Sequence, residues 1–409
     1  MSDRIMRRHR IYAALLALML ATSACGNGTP DDPAANSPAI DIAKLDSGNY
    51  PTMPTDIDST RTDDSGAVRE AIRIGNATPL LMEIDTRFIF DYHKAFGRVF
   101  TPKDSPYFSG AGVESKDFNT VFPGLVAGWY TRGQRRNETM AGRELTAYSI
   151  RFSTADQVRT AVDGLADRTP GDTFAIANHP AARTKYTAMT ETGYPSMSSW
   201  LAHGDMLLYV RVDDPVSMPF DATENADLVK AAFDKLIDSL KDYSPTPLDK
   251  IASLPLDVDG LLSRTLPLTK DQMPARGANP SGVYPRQAAL HAEQHPNLAK
   301  AAFDDAGVDY LAAASAFVYR ARDAASTTRL ITAIEDQTID MENYDKVDNP
   351  PNLPIAHCYN AKPGVKYASD YPPTCWVPVG RYVAQVSSRN IQDVYQQAAA
   401  QYKLLASAG

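Results

Sequence analysis

The chain has 409 residues, with 41 lysines and arginines against 49 aspartates and glutamates, which gives a formal net charge of −8. This length is enough for two or three domains. The acidic balance argues against a nucleic-acid-binding protein and against general binding to anionic lipid surfaces.

The N-terminus has the pattern of a secretory signal, with four arginines before a short apolar run over 11–21. That run is too short to span a bilayer as a mature anchor. Small residues 22–24 then stand directly before Cys25, as in a bacterial lipobox, although the usual leucine is replaced by Thr22. We therefore predict a signal peptide at 1–24 and lipidation of Cys25. The alternative is an ordinary secreted protein in which Cys25 is a spare thiol.

A lipidated Cys25 would hold the protein on the extracytoplasmic face of the cell membrane. Each buried methylene contributes about 0.8 kcal/mol, and more than one acyl chain is needed for stable anchoring. Residues 25–43 are rich in proline, glycine, asparagine and alanine, and are predicted to be a flexible tether. Removal of residues 1–24 changes the net charge from −8 to about −11. Nucleic acid is therefore excluded as a predicted partner.

The rest of the chain is predicted to contain an internal duplication. The stretch 200–210 (WLAHGDMLLYV) returns as 376–386 (WVPVGRYVAQV), with tryptophan, glycine and the last valine at one offset of 176. Each copy is predicted to be a β-hairpin, because Gly204 and Gly380 tolerate the positive φ of a tight turn. A strand, a helix and a further strand precede each hairpin, and a helix follows it.

Local patterns predict further elements in chain order. A helix is expected over 64–74, a strand over 79–84 and a helix carrying His93 over 88–100. In the alignment of the two copies, 176–178 corresponds to 355–357, so that Asn178 is paired with His357.

We predict an α+β fold of two related units, each an antiparallel sheet with helices packed on one face. A ferredoxin-like open sandwich is the nearest general type. The predicted first domain covers 44–243, a proline-rich linker covers 244–285, and the second domain covers 286–409.

Four features together resemble a family of uncharacterised lipoproteins from mycolic-acid-containing actinobacteria. They are the lipobox at Cys25, the segment LDSGNYPT at 45–52, the helix over 64–74 and the two α+β units. The resemblance covers nearly all of the chain after residue 24, and 45–52 is its most specific part. It implies an organism group and a location at the cell envelope, but no activity and no catalytic residues.

Cys358 and Cys375 are the only cysteines after Cys25. The repeat places them on neighbouring strands, and outside the membrane such a pair is usually oxidised. We predict a structural disulfide that closes a loop of 17 positions and contributes about 3 kcal/mol in the chain-entropy model. The alternatives are a redox pair or a thiolate metal site, but there is no CxxC spacing and no third sulfur ligand.

One histidine pair has the spacing of a metal site. His291 and His295 are four residues apart, so both would share one face of a helix. Zinc proteases place glutamate directly after the first histidine, whereas Glu293 stands two residues after it. Pro296 is also expected to end the helix. We therefore expect two surface histidines.

Searches for catalytic patterns find no G-x-S-x-G, S-x-x-K, P-loop or complete G-x-G-x-x-G. Three further histidines lie near strands of the repeat, without a recognisable ligand pattern: His179, His203 and His357. We predict no catalytic, cofactor-binding or metal-binding residues.

The anchor, the duplication and the lack of catalytic motifs favour a non-enzymatic envelope lipoprotein that binds a lipid, a glycolipid or a protein partner. Its ligand is expected in a cleft between the two units. The alternative is an envelope hydrolase with an unrecognised active site, which requires a nucleophile and a base within hydrogen-bond reach in a deep pocket. A third hypothesis is a structural spacer, which predicts no pocket.

Overall fold

Two seven-stranded antiparallel sheets organise the described part of the chain. The computed structural model describes residues 40–91, 98–108, 111–188, 193–217, 221–268, 280–339, 342–366 and 368–407. The predictions for the signal peptide, Cys25 and residues 25–39 of the tether lie outside the described residues, as does His93.

The first unit contains strands β1–β7 and helices α1–α4. Its strands are β1 (Val99–Phe100), β2 (Leu125–Gln134), β3 (Glu144–Phe152), β4 (Asp172–Thr173), β5 (Arg183–Thr187), β6 (Ser196–His203) and β7 (Met206–Asp213). Its helices are α1 (Ser65–Asn76), α2 (Phe118–Val121), α3 (Ala155–Arg168) and α4 (Ala222–Ser239).

The second unit contains strands β8–β14 and helices α5–α8. Its strands are β8 (Gly282–Pro285), β9 (Tyr310–Ala313), β10 (Phe317–Arg320), β11 (Tyr344–Val347), β12 (His357–Ala361), β13 (Thr374–Val379) and β14 (Tyr382–Ser387). Its helices are α5 (Arg286–Leu290), α6 (Pro296–Ala306), α7 (Ala324–Thr338) and α8 (Ile391–Ala406). β8 lies within the predicted linker 244–285.

The strand orders confirm the α+β fold and the duplication. The first sheet is ordered β1-β2-β3-β7-β6-β5-β4, and the second sheet, read from its other edge, is ordered β8-β9-β10-β14-β13-β12-β11. At every position, the strand number in the second order is seven higher than in the first, so that β1 corresponds to β8 and β7 to β14. Both hairpins turn at the predicted glycines, where φ is +61° at Gly204 and +55° at Gly380.

The prediction that helices pack on one face of each sheet is wrong. In the first unit α3 packs against Trp200 and Leu207, whereas α4 packs on the opposite face against Leu208 and Val210. In the second unit α7 and α8 divide the two faces in the same way. The reason is visible in β7, because its run MLLYVRV is apolar on both faces, and such strands need covering on both sides.

The strand pairing corrects the alignment of the two copies. Arg183 lies opposite Trp200, and His357 lies opposite Trp376. His357 therefore corresponds to Arg183, not to Asn178. The alignment failed here because the loop between β5 and β6 (188–195) is shorter than the loop between β12 and β13 (362–373), although the hairpins that follow are in strict register.

Two local predictions also differ from the structure. Residues 79–84 contain a short 3₁₀ helix, Leu81–Glu83, rather than a strand, because Glu83 Oε2 accepts the Leu80 N–H at 2.8 Å and closes a turn. Pro296 begins α6 rather than ending a helix. Proline suits the first helical position, where its missing N–H would have had no partner. The helix predicted over 64–74 is confirmed as α1.

The two units share a core. Trp129 of β2 is fully buried, and its ring centroid lies 6.4 Å from Tyr284 of β8 and 5.7 Å from His291 after α5. α1 packs over the same tryptophan, and a Cβ added at Gly75 would stand 2.4 Å from the indole ring. Glycine at this position therefore lets α1 lie directly on β2, between the two units.

No described helix is long and apolar enough to cross a membrane.

Candidate functional site

A cavity of about 370 Å³ opens between α1 and the chain that connects the two units. Most of its wall is apolar. The apolar side chains that line it are Ile57, Val68, Ile72, Leu256, Leu262, Pro267, Leu268, Pro280 and Ala314. A mostly apolar cavity with a few polar groups is the usual form of a small-molecule site.

α1 forms one wall and is fixed from its buried side by Glu70. This carboxylate is fully buried and accepts hydrogen bonds from Arg73 at 2.7 Å and Arg151 at 2.9 Å. Burial alone would raise the pKa of Glu70, but hydrogen bonds from Tyr243 and Thr246 hold it below its ordinary value. The charged carboxylate therefore ties α1 to β3 and to the chain after α4.

The facing wall is a turn held closed by Asp257. Its carboxylate accepts the backbone N–H groups of Val258 at 2.7 Å, Leu262 at 2.7 Å and Ser263 at 3.0 Å. These bonds present the buried side chains of Leu262 and Thr265 to the cavity. Because both walls are internally hydrogen-bonded, the cavity is largely pre-formed.

Arg69 is the cation of this cavity. Its Nη1 donates to the carbonyl oxygen of Val283 at 2.6 Å. Among the described residues no carboxylate lies within ion-pair distance of Arg69, and burial lowers its pKa. An arginine remains charged under such conditions. A half-buried guanidinium with spare N–H donors is therefore available to an acidic ligand.

Asp64 also lines the cavity, and it lies at the opposite end of the α1 wall from Arg69. Its Oδ2 accepts a hydrogen bond from Thr101 at 2.6 Å. Asp64 stands five residues before Arg69, which corresponds to about 7.5 Å along a helix axis. The acidic group of a ligand is therefore expected at the Arg69 end of the cavity, away from Asp64.

The predicted disulfide is present but does not line this cavity. Cys358 of β12 lies directly opposite Cys375 of β13, with an S–S distance of 1.97 Å. Both cysteines are fully buried under α8. Their role is therefore structural.

The other histidines of the repeat are held separately. His179 Nε2 lies 2.8 Å from Asp234, and His357 Nδ1 lies 2.8 Å from Glu335. His203 is exposed at the hairpin turn. Across the described ranges, no three histidine, cysteine or acidic side chains are grouped so that they could hold a metal ion.

The expectation of two surface histidines is wrong for His291. It is 4 % exposed, and its Nδ1 accepts from the hydroxyl of Thr131 at 2.9 Å while its Nε2–H donates to the carbonyl of Thr78 at 3.1 Å. His295 occupies the N-cap position of α6, and its ring lies 5.6 Å from that of Phe90. The partners of His291 are 160 and 213 residues away in sequence, so local pattern could not reveal them.

Thr131 and His291 are also a hydroxyl–imidazole pair of the kind that a hydrolase would need. They lie beside a space of only about 10 Å³, too small for a substrate. Neither residue lines the cavity beside α1. This pair therefore gives no support to the hydrolase hypothesis.

Sequence reasoning missed Arg69 and the cavity itself. Arg69 reads as one more polar residue on the exposed side of an amphipathic helix. Its special position follows only from Val283, which lies 214 residues later. One signal was present: the connecting segment is rich in leucine and proline rather than in the glycine and serine of a flexible linker.

Comparisons with known proteins identify both units at the family level. A family model described as "Domain of unknown function (DUF7373) N-terminal" matches residues 57–256, and its C-terminal counterpart matches residues 261–408. No curated protein matches the chain. Among solved structures, the chain is similar to the extracellular domain of PknH from Mycobacterium tuberculosis, with 14 % identity over 34 % of this chain and 81 % of that chain. The TM-score is 0.24, so this likeness supports no further argument.

Proposed function

The chain belongs to the DUF7373 family, and we propose that it is an extracytoplasmic, lipid-anchored protein that holds an acidic lipid in the cavity where its two family segments meet. The single observation that carries this proposal is the apolar cavity of about 370 Å³ with Arg69 in its wall, a cation that has no carboxylate partner among the described residues. No specific observation favours a hydrolase or a spacer.

The disulfide supports the proposed location. Structural disulfides persist in oxidising compartments and are rare in the cytosol. Cys358 and Cys375 form one. The signal pattern at 1–24 and the lipobox before Cys25 point the same way and predict the anchor. These features together suit a protein that works at the outer surface of the membrane.

The cavity supports the proposed ligand. Transfer of a methylene from water to an apolar wall contributes about 0.8 kcal/mol, so an acyl chain has a strong preference for this site. A carboxylate or phosphate at the end of that chain could form charge-assisted hydrogen bonds with Arg69. The net negative charge of the protein disfavours binding to an anionic bilayer surface. It does not prevent a single acidic lipid molecule from entering the cavity.

Calorimetric titration with decanoate and with the neutral analogue 1-decanol tests the ligand class. We expect both to bind the wild-type protein, because the apolar wall accepts either chain. Val68→Trp fills the cavity and should abolish both. Val216→Trp adds the same ring at a position that is 49 % exposed, and should leave binding unchanged.

Arg69 is tested separately. Arg69→Gln should weaken decanoate binding roughly tenfold and leave 1-decanol binding unchanged, because only the acidic head uses the guanidinium. Asp64→Asn should strengthen decanoate binding, since it removes a negative charge that repels the carboxylate of decanoate. Equal weakening of both ligands in Arg69→Gln would refute the acidic-head assignment, and binding that survives Val68→Trp would refute the site.

A further inference from the structure

The duplicated sheets present the same face twice, and the two copies of this face have different neighbours. The offset of 176 matches Tyr209 in β7 to Gln385 in β14. Strand pairing extends the match, because Tyr148 lies opposite Tyr209 and Phe317 lies opposite Gln385. The comparison of the two units is therefore a comparison of corresponding positions.

In the first unit, aromatic side chains from residues 101–122 close this face. The ring centroid of Phe108 lies 4.9 Å from that of Tyr209 and 5.4 Å from that of Tyr148. Phe118 packs behind Phe108 at 5.8 Å, and both phenylalanines are fully buried. These buried rings make the face part of the hydrophobic core of the first unit.

In the second unit the corresponding chain, between β8 and β9, forms α5 and α6 instead. It reaches the face at one edge, where Phe303 of α6 lies 5.8 Å from Tyr319. The rest of the face borders a cavity of about 240 Å³. Six side chains of the face line it: Phe317, Tyr319, Thr374, Trp376, Gln385 and Ser387.

Polar groups without protein partners line this cavity. Within the described ranges, neither Gln337 nor Gln385 has a side-chain hydrogen bond, and the indole N–H of Trp376 has no acceptor although Trp376 is only 1 % exposed. The indole N–H of Trp200 in the first unit also has no acceptor among the described residues. The two units therefore differ in their glutamine amides and not in this indole. The hydroxyl of Tyr209 is hydrogen-bonded to a serine at 3.1 Å, whereas Gln385 at the same position is available to a ligand.

The charge of the lining restricts the ligand further. The described lining residues include two acidic residues, Glu293 and Asp370, and no lysine or arginine, so an anionic ligand would be repelled. Carboxylates accept hydrogen bonds from hydroxyl groups, so these two residues suit a neutral ligand rich in hydroxyls. The amides offer both donors and acceptors, and the hydroxyls of Thr374 and Ser387 lie beside them. The walls between these groups are aromatic. Such a site suits a small neutral molecule with several hydroxyl groups and an apolar face.

We propose that this cavity in the second unit binds a neutral sugar ring. A pyranose has C–H faces that pack on aromatic rings and a rim of hydroxyls that both donate and accept. Trp376, Tyr319 and Phe317 supply the aromatic surface, and Gln337 and Gln385 supply the amides. This site is distinct from the cavity beside α1 and does not depend on it.

Saturation-transfer NMR on the full chain tests the proposal with the methyl glycosides of glucose, galactose and mannose. We expect signal from at least one of them and none from cyclohexanol, which has the ring but only one hydroxyl. Gln385→Tyr restores the aromatic side chain of the first unit and should weaken binding roughly tenfold or more. Gln392→Tyr makes the same change at an exposed position of α8 and should retain binding.

Gln337→Leu keeps the volume of the opposite wall, removes its amide and should also weaken the signal, which guards against a folding defect in Gln385→Tyr. Val68→Trp should leave glycoside binding intact, so failure of the acidic-lipid proposal is separable from failure here. The proposal is overturned if no glycoside gives a signal, if cyclohexanol gives an equal one, or if the signal survives both glutamine variants.

Discussion

His291 is a neutral, buried imidazole whose two ring nitrogens have fixed roles. A carbonyl oxygen can only accept, so the bond to Thr78 places the proton on Nε2 and leaves Nδ1 to accept from Thr131. Burial, followed by the nearby charge of Arg98, lowers the pKa of His291 to about 3. Protonation in the folded state would remove the bond from Thr131 and bury a charge.

This gives a predicted pH dependence. An unfolded histidine titrates near pH 6.5, so between about pH 6.5 and pH 3 the unfolded chain binds a proton that the folded protein does not. Stability contributed by His291 is therefore complete above pH 6.5 and is lost as the pH falls, by up to about 1.4 kcal/mol per pH unit. Urea unfolding at pH 7, 6, 5 and 4 measures it.

Two variants separate the contribution of His291 to the pH dependence of stability from the contribution of the carboxylates, which titrate in the same range. His291→Gln should be less stable at pH 7 but should show a shallower loss between pH 6.5 and 4. His203→Gln, at the exposed hairpin turn, should keep the wild-type slope. Equal slopes in wild type and His291→Gln would show that the imidazole is not held neutral.

Residue-scale prediction from sequence succeeded where the signal was local or repeated. Cys358 and Cys375 are the only cysteines after Cys25, and the tryptophans at 200 and 376 mark the repeat. Prediction from sequence failed for Arg69 and His291, because their positions depend on partners that are 160 or more residues away in the chain.

At the scale of elements, β12 and β13 are adjacent antiparallel strands joined by a loop from 362 to 373. Cys358 and Cys375 cross-link the strands with a sequence separation of 17. The cross-link restricts the unfolded chain, which in the loop-entropy model stabilises the folded state by about 3 kcal/mol.

The double variant Cys358→Ser/Cys375→Ser should therefore lose about 3 kcal/mol of unfolding free energy. Reductant should lower the denaturant midpoint of the wild-type protein towards that of the double variant and should leave the double variant unchanged. Coincident curves for oxidised wild type and double variant would contradict a stabilising disulfide.

Elements with a strong local period were predictable: α1, the two hairpins, and the helices after each hairpin. The side on which each helix packs was not, because that depends on how the chain crosses the sheet. The apolar run in β7 carried the information that both faces are covered. The short 3₁₀ helix at Leu81–Glu83 depends on one glutamate hydrogen bond, which an apolar pattern does not encode.

At the scale of the whole molecule, the beginning of the described chain packs on its end. Leu45 is buried in the core of the second unit, 4 % exposed. The hydroxyl of Tyr50 donates to Asp393 in α8 at 2.7 Å, and Lys403 Nζ donates to the carbonyl of Leu45 at 2.9 Å. Together with Trp129 and Tyr284 at the shared core, these contacts join the two units at two places.

Because of these two connections, we expect the two units to unfold as one cooperative body. Leu45→Ala should cost about 2–5 kcal/mol, the usual range for loss of a buried leucine. Native-state hydrogen exchange should show the same loss of protection in the β6–β7 hairpin as in the β13–β14 hairpin, although Leu45 packs in the core of the second unit. Ile42→Ala, at a residue that is 45 % exposed, should change neither. A loss confined to β13–β14 would show that the units are energetically independent and that the duplication has remained two separate folding domains.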